Sequence, residues 1–185
     1  MTDLIAVTAL GAAVPRQESF GPLTIRENAA LALASLALRR GAAVPAPFGL
    51  TLPGPGGFAA AGDVAAFWTG PDQWMIEGQD RAETDFASAL AAQAPGCSVS
   101  EQTDGFAAFD VTGPAVSITA MMERLVNLDP LRLGPGTATR TGLHHLSVFV
   151  VRRTAEHLTI MGMRSAAGSV WHALTRAAQR QETAA

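Results

Sequence analysis

The side chains with reactive potential are few, and their spacing assembles no recognisable catalytic set. His144 and His145 are adjacent at the start of a predicted strand, so their side chains point to opposite faces and do not converge on one metal ion. Ser169 and His172 share one side of a predicted helix but lack the Gly-x-Ser-x-Gly setting of a nucleophilic serine. Cys97 is the only cysteine, which excludes an intrachain disulfide and a thiolate metal cluster. We therefore predict no metal site, a helix surface at Ser169 and His172, and a small buried hydrophobe at Cys97.

Carboxylates and glycine-rich loops offer two further candidates. Glu101, Asp104 and Asp110 surround one predicted hairpin, and paired carboxylates can do acid–base work when burial separates their pKa values. A solvated turn is the preferred interpretation. Residues 54–57 and 134–136 are rich in glycine and proline but lack the Gly-Lys-Ser/Thr ending of a phosphate loop, so loop rigidity explains them better.

Composition limits the class of function. The chain has 185 residues and a formal net charge of -3, and this charge argues against nucleic acid or anionic lipid as a partner. The sequence contains no lysine and no tyrosine, and the lack of lysine excludes Schiff-base chemistry. No basic region precedes the short apolar run at the N-terminus, and no run is long enough for a membrane span. We predict one domain over residues 1–185, with 1–20 and 179–185 peripheral, and a cytoplasmic location. Hydrophobic content of 48% against 16% charged residues suggests a surface that a partner covers.

The first half of the chain predicts a helix, a long loop, a pair of strands and a second helix, in that order. Asn28 is a candidate N-cap, the run after it ends at Gly41, and a helix is expected over 29–40. Proline and glycine mark residues 42–57 as a loop. Two short apolar runs on either side of a Gly-Pro-Asp turn predict an antiparallel pair, and a second helix is expected to begin at Asp80, with Glu83 completing a capping box. The runs of that pair are residues 64–69 and 73–77.

The second half repeats this alternation. Asp-Gly at 104–105 predicts a hairpin, and a helix follows Pro114. Residues spaced i, i+3, i+4 and i+7 mark the buried face of that helix: Ile118, Met121, Met122 and Leu125. Another strand pair and a last helix complete the chain, the helix carrying an apolar stripe of Val170, Trp171, Leu174 and Ala178. The hairpin strands are residues 98–102 and 106–111, and the later pair is 145–152 and 157–161. This order predicts an α+β fold of antiparallel sheets with helices, built from ferredoxin-like units.

Four segments carry a resemblance to a known family: FWTGPDQWMIEG, SEQTDGFAAFDVTGP, LVNLDPLRLGPGTATRTGLHHLSVFVVRR and RSAAGSVWHALTRAA. Together they resemble the gamma subunit of heterotetrameric sarcosine oxidase, in order and spacing, from about residue 24 to 178. That family is similar in fold to the folate-binding aminomethyltransferase N-terminal region. The sequence departs mildly at Phe106, where tryptophan is expected, and at residues 161–164, where MGMR replaces an expected proline before Arg164.

The resemblance implies a non-catalytic structural subunit that works with alpha, beta and delta subunits. It also implies that FAD, FMN, NAD, tetrahydrofolate and zinc lie on those other subunits and that this chain holds no cofactor. The reaction it implies is oxidative demethylation of sarcosine to glycine, with the one-carbon unit passed to tetrahydrofolate or released as formaldehyde, and hydrogen peroxide as product.

Large aromatic and arginine side chains are the residue types enriched at protein interfaces, so we predict interface residues among them: Trp68, Trp74, Arg140, Arg164 and Trp171. Core packing could also account for the tryptophans. Two alternatives remain at this point, a stand-alone tetrahydrofolate-binding module and a serine or cysteine hydrolase that would lose activity in His172→Ala.

Overall fold

The computed structural model describes residues 6–182, which form eleven strands and three α-helices. In chain order the strands are Gln17–Phe20 (β1), Leu23–Glu27 (β2), Ala32–Leu38 (β3), Phe58–Ala61 (β4), Val64–Gly70 (β5), Gln73–Gly78 (β6), Cys97–Glu101 (β7), Phe106–Thr112 (β8), Thr137–Leu143 (β9), Leu146–Thr154 (β10) and His157–Met163 (β11). The helices are Phe86–Gln93 (α1), Ala115–Leu125 (α2) and Ala167–Glu182 (α3). None of these helices is long and apolar enough to cross a membrane.

The strands build two antiparallel sheets that stack face to face. The first sheet has the order β1-β2-β8-β11-β10-β9 and the second the order β4-β5-β6-β3-β7. One core lies between the first sheet and α2 with α3, a second lies between the second sheet and α1, and a third fills the space between the sheets. The result is four layers in the order helix, sheet, sheet, helix, and the predicted α+β class with antiparallel sheets is confirmed.

The predicted helix at 29–40 is wrong, because this segment forms the inner strand β3. Alanine and leucine favour helix locally, but β3 pairs with β6 on one side and β7 on the other, and this tertiary pairing overrides the propensity. Leu33 faces the core between the sheets, whereas Ala34 and Leu36 face the core beside α1. Since both faces are covered, the segment is apolar throughout and hides the alternation typical of a strand.

The predicted hairpin at 98–111 is also wrong, because its two strands lie in different sheets. Thr103–Gly105 forms a 3-10 turn in place of the two-residue turn that an Asp-Gly hairpin needs. The Thr103 hydroxyl oxygen accepts a hydrogen bond from the Leu33 N–H (3.0 Å), which fixes the turn against β3. The chain therefore crosses there from β7 in the second sheet to β8 in the first.

The helix predicted from Asp80 begins later. Asp80 has φ +58°, a left-handed conformation unlike that of an N-cap. Asp85 caps α1 instead, accepting a hydrogen bond from the Ser88 N–H at 3.0 Å. The capping-box pattern therefore located a true helix but misplaced its first turn.

Several predicted elements are confirmed. The pair β5 and β6 and the pair β10 and β11 are antiparallel neighbours, as the turn signals between them indicated. The apolar positions predicted for the last two helices are all buried. Strands β1, β2, β4 and β9 were not predicted from the sequence.

The two glycine-rich segments meet and join the edges of the sheets. Gly57 and Thr137 form an isolated antiparallel bridge between β4 and β9. The Phe58 N–H donates to the Gly136 carbonyl at 2.8 Å, and the Ala138 N–H donates to the Gly56 carbonyl at 2.9 Å. Loop rigidity was predicted for both segments, but their contact across 80 residues of sequence was not.

Candidate functional site

A polar network lies where the ends of four strands converge between the two sheets. Glu77 is the last residue but one of β6 in the second sheet, and its Oε2 accepts a hydrogen bond from the Arg153 guanidinium of β10 at 2.7 Å. Arg153 Nε donates to the Thr159 hydroxyl at 2.6 Å, and that hydroxyl donates to Asp110 Oδ1 at 2.5 Å. The network thus links the two sheets by consecutive charged and polar contacts.

Strand geometry explains why these side chains meet. His157 and Thr159 are two residues apart on β11, so their side chains lie on the same face of the first sheet. Asp110 on β8 is directly opposite Thr159 in the register of the two strands. Its carboxylate is 3.0 Å from His157 Nε2, and its Oδ2 accepts from the Asn28 amide at 2.9 Å.

Burial favours a raised pKa at both carboxylates, but their partners leave opposite net shifts. Burial alone would raise the pKa of Asp110, but hydrogen bonds from His157 and Thr159 outweigh it and leave the pKa below its usual value. For Glu77 burial is the larger effect, and its pKa is raised although Arg153 opposes the shift. Glu77 is 1% exposed, and its Oε1 has no hydrogen-bond partner among the described residues.

The Asp110–His157 pair has the geometry of a carboxylate that orients an imidazole. Because the Asp110 carboxylate is 3.0 Å from His157 Nε2, it can hold the imidazole ring in one orientation. His157 is partly exposed. Sequence reasoning did not select His157 or Glu77, although a glutamate at the end of the apolar run WMIE is a detectable signal of a buried charge.

Two adjoining pockets open beside this network, and together we name them the interlayer cleft. The larger has a volume of about 530 Å³, the smaller about 190 Å³, and Asn28 and Leu31 line both. Glu77, Arg153 and His157 line the smaller pocket. The larger is bordered by the N-terminal segment and by residues of both sheets.

Glu27 holds the N-terminal segment over the larger pocket. Its carboxylate oxygens accept hydrogen bonds from the Leu10 N–H at 3.0 Å and the Arg16 N–H at 3.3 Å. Arg164 lies at the same pocket, donating to the Val7 carbonyl at 3.0 Å, with its guanidinium 3.7 Å from Asp104 Oδ1. The segment before β1 therefore forms one wall of the cleft.

The three tryptophans predicted at an interface are largely packed within the chain. Trp74 is buried, and its indole N–H donates to the Pro53 carbonyl at 2.8 Å. Trp68 is opposite Trp74 in the β5–β6 register and packs partly against the same core. Trp171 is buried on α3, with its ring 5.7 Å from that of Phe109.

The predicted interface arginines are more accessible. Arg140 is exposed on the edge strand β9, where its Nε donates to the Ser147 hydroxyl at 2.8 Å and its guanidinium lies 5.7 Å from the Phe149 ring centre. Arg164, at the larger pocket, is the one of the five predicted residues that borders the interlayer cleft. The interface assignment of all five stays a prediction.

The other candidate residues do not come together. His144 and His145 occupy the exposed turn between β9 and β10, not a strand, and His144 has φ +53°. Ser169 and His172 are exposed on α3. Cys97 is buried at the start of β7, and burial raises the pKa of its thiol. No group of three His, Cys, Asp or Glu side chains that could hold a metal ion occurs in the part of the chain that the structure describes.

The three acidic residues expected around one hairpin are separated. Asp104 is fully open to solvent, and Asp110 belongs to the network. Glu101 closes the turn before β8: burial would raise its pKa, but hydrogen bonds from Thr103, Ala87 and Gln102 lower it below its usual value. The carboxylate hydrogen bonds of Glu101 organise the backbone at this crossing between the sheets.

Comparisons with solved structures identify the fold. This chain aligns over 80% of its length with the glycine cleavage system aminomethyltransferase T from Bartonella henselae, at a TM-score of 0.56 and 13% identity, and spans 44% of that chain. It aligns more completely with a chain of heterotetrameric sarcosine oxidase from Corynebacterium sp. U-96, solved in complex with pyrrole 2-carboxylate. That alignment covers 85% of this chain and 84% of the other, at a TM-score of 0.73 and 21% identity. No protein-family model matches the sequence, and no curated protein does either. The resemblance to sarcosine oxidase drawn from the sequence is thus confirmed in the fold.

Proposed function

We propose that this chain is a gamma-type, non-catalytic structural subunit of a heterotetrameric sarcosine oxidase. In this role it would bind the alpha, beta and delta subunits of a complex that demethylates sarcosine to glycine and forms hydrogen peroxide. The supporting observation is the alignment with a sarcosine oxidase chain of nearly equal length, since similar fractions of both chains are covered. The four sequence segments that carry the resemblance add support from a separate source.

Co-expression with the other three subunits from the same source tests this proposal. We expect the chain to co-migrate with them on size exclusion, and removal of the chain to destabilise the remaining complex. Sarcosine oxidation by this chain alone should be absent, because FAD, FMN, NAD, tetrahydrofolate and zinc are proposed to bind the other subunits. A chain that elutes alone when mixed with those subunits would exclude the proposal.

A stand-alone tetrahydrofolate-binding module is the second candidate. The similarity to the aminomethyltransferase favours it, and so does the larger pocket, because its volume of about 530 Å³ lies in the range of small-molecule sites. The acidic lining of the cleft opposes it, since the glutamate tail of a folate is anionic. Calorimetric titration of the isolated chain with tetrahydrofolate separates the two candidates, because a micromolar site on this chain alone would support the module.

A further inference from the structure

We infer that the interlayer cleft is a docking surface for an arginine- or lysine-bearing segment of a partner protein. The inference rests on the proposed function, because it names the surface by which an accessory subunit would engage its neighbour. Three observations carry it: the charge of the cleft, the state of its carboxylates, and its size and rim.

The cleft has a net negative charge. Among the described residues, five carboxylates line the two pockets, against two arginines: Glu27, Asp63, Glu77, Glu83 and Asp104, against Arg153 and Arg164. With His157 neutral, these lining residues have a formal charge of -3, which Arg81, bound to Asp63 at 2.6 Å, reduces to -2. A cleft with an excess of one charge within a low-dielectric protein focuses its field and attracts groups of opposite charge.

The carboxylates of the cleft retain capacity to accept hydrogen bonds. Asp63 is half exposed and uses one oxygen to bind Arg81 at 2.6 Å. Glu83 is exposed, and Asp104 makes only a long contact of 3.7 Å with Arg164. Glu77, in the wall of the smaller pocket, has an oxygen without a partner among the described residues, so an incoming N–H donor would supply what is missing.

Size and surroundings favour a protein segment over a free small cation. A volume of about 530 Å³ exceeds by far what an ammonium or guanidinium group fills, and about 190 Å³ adjoins it. Val7 in the wall is 54% exposed, which gives the rim an apolar contact for neighbouring residues of a chain. Anionic surfaces such as nucleic acid are disfavoured by the same charge.

The test uses charge-neutralising changes at the exposed carboxylates, which leave the buried ones intact. The triple variant is Asp63→Asn, Glu83→Gln and Asp104→Asn. The matched control changes the charge equally at exposed positions outside the cleft: Asp72→Asn, Glu123→Gln and Asp129→Asn. Circular dichroism and thermal unfolding of both variants establish that each is folded before binding is measured.

Calorimetric titration with the other oxidase subunits provides the measurement. We expect the cleft variant to bind at least tenfold more weakly than the unaltered chain, with a shallower dependence on salt, while the control stays within twofold. Equal weakening in both variants, or none in either, overturns the docking surface and leaves the proposed function standing.

If the unaltered chain binds none of those subunits, the proposed function fails and a peptide titration decides the docking inference. The probe is an acetylated heptapeptide in which three arginines alternate with glycines, compared with the same peptide carrying glutamine at those positions. Preference for the arginine peptide, with NMR shifts at the Asn28 and Leu31 amides, supports the inference. Absence of preference, shifts elsewhere, or equally tight binding of free methylguanidinium overturns it, the last indicating a small-cation site.

Discussion

Glu77 and Arg153 form a buried ion pair that joins the two sheets, and burial determines how this pair affects the free energy of unfolding. Both side chains are mostly removed from solvent, so each depends on the other to compensate its lost hydration. Arg153 also donates to Thr159 and lies 5.2 Å from the Phe58 ring centre. Removing one partner therefore has a different effect from removing both.

Arg153→Met should destabilise the protein by about 3–5 kcal/mol, because Glu77 would remain buried without its partner. The double variant Arg153→Met with Glu77→Met should regain most of that loss, since no uncompensated charge remains. Urea unfolding followed by circular dichroism measures both free energies. A double variant as unstable as Arg153→Met would show that the lost contacts of Arg153, and not the unpaired carboxylate, cause the instability.

Asp110 should make the protein sensitive to acid. Its pKa is lowered in the folded state, so its contribution is present above the pKa of an unfolded aspartate, near 4, and is lost as the pH falls through the folded value. Asp110→Asn should therefore lose less free energy of unfolding between about pH 4 and pH 2 than the unaltered chain does. Urea unfolding at a series of pH values tests this.

Glu101 and Glu77 change the pH dependence of the free energy of unfolding in opposite directions. The lowered pKa of Glu101 leaves some acid sensitivity in Asp110→Asn, whereas the raised pKa of Glu77 makes stability fall as the pH rises through its folded value. Glu77→Gln should flatten the profile only at the higher pH. An unchanged acid limb in Asp110→Asn would contradict the assigned role of Asp110.

The packing of α1 on the second sheet depends on a glycine at the end of β6. A Cβ at Gly78 would lie 2.7 Å from Phe86 Cε2 and 2.9 Å from Arg81 Cδ. Gly78→Ala should destabilise the protein by about 1–3 kcal/mol through overpacking. Gly142→Ala is the matched control, because this strand glycine of β9 has no atom within 4 Å of the added Cβ. Thermal unfolding of the two variants should differ clearly, and equal midpoints would contradict the close packing of α1.

Local signals in the sequence were sufficient for elements whose neighbours are close in the chain. The β5–β6 pair and the face of α2 follow from turn residues and from helical spacing, both short-range properties. Strand β3 and the crossing at Thr103–Gly105 depend on partners far along the chain, which no local pattern encodes. The polar network could not be predicted from the sequence for the same reason. Glu77, Asp110 and His157 are brought together only by the stacking of the sheets and the register of their strands.

For the whole molecule, the core between the sheets predicts a single cooperative unit. Phe67 of the second sheet lies 5.1 Å from Phe149 of the first, measured between ring centres, and both pack into that core. A shared core and a shared ion pair couple the two sheets energetically, so we expect them to unfold together.

Tryptophan fluorescence tests this cooperativity because the tryptophans lie on opposite sides of the molecule. Trp171→Phe leaves reporters only in the second sheet, whereas Trp68→Phe with Trp74→Phe leaves a reporter only on α3. In each variant the fluorescence and circular dichroism transitions in urea should coincide. Separate midpoints within one variant would show that the two sheets unfold independently.

The bridge between the glycine-rich segments also bears on how far sequences with this fold can diverge. The two hydrogen bonds that flank the Gly57–Thr137 bridge join main-chain atoms, so side chains beside the bridge can change without loss of these bonds. Gly57 is the exception, because a Cβ there would lie 3.0 Å from the Gly54 carbonyl oxygen and from Pro53 Cβ. A fold joined in this way can be kept at low sequence identity, as the TM-score of 0.73 at 21% identity illustrates.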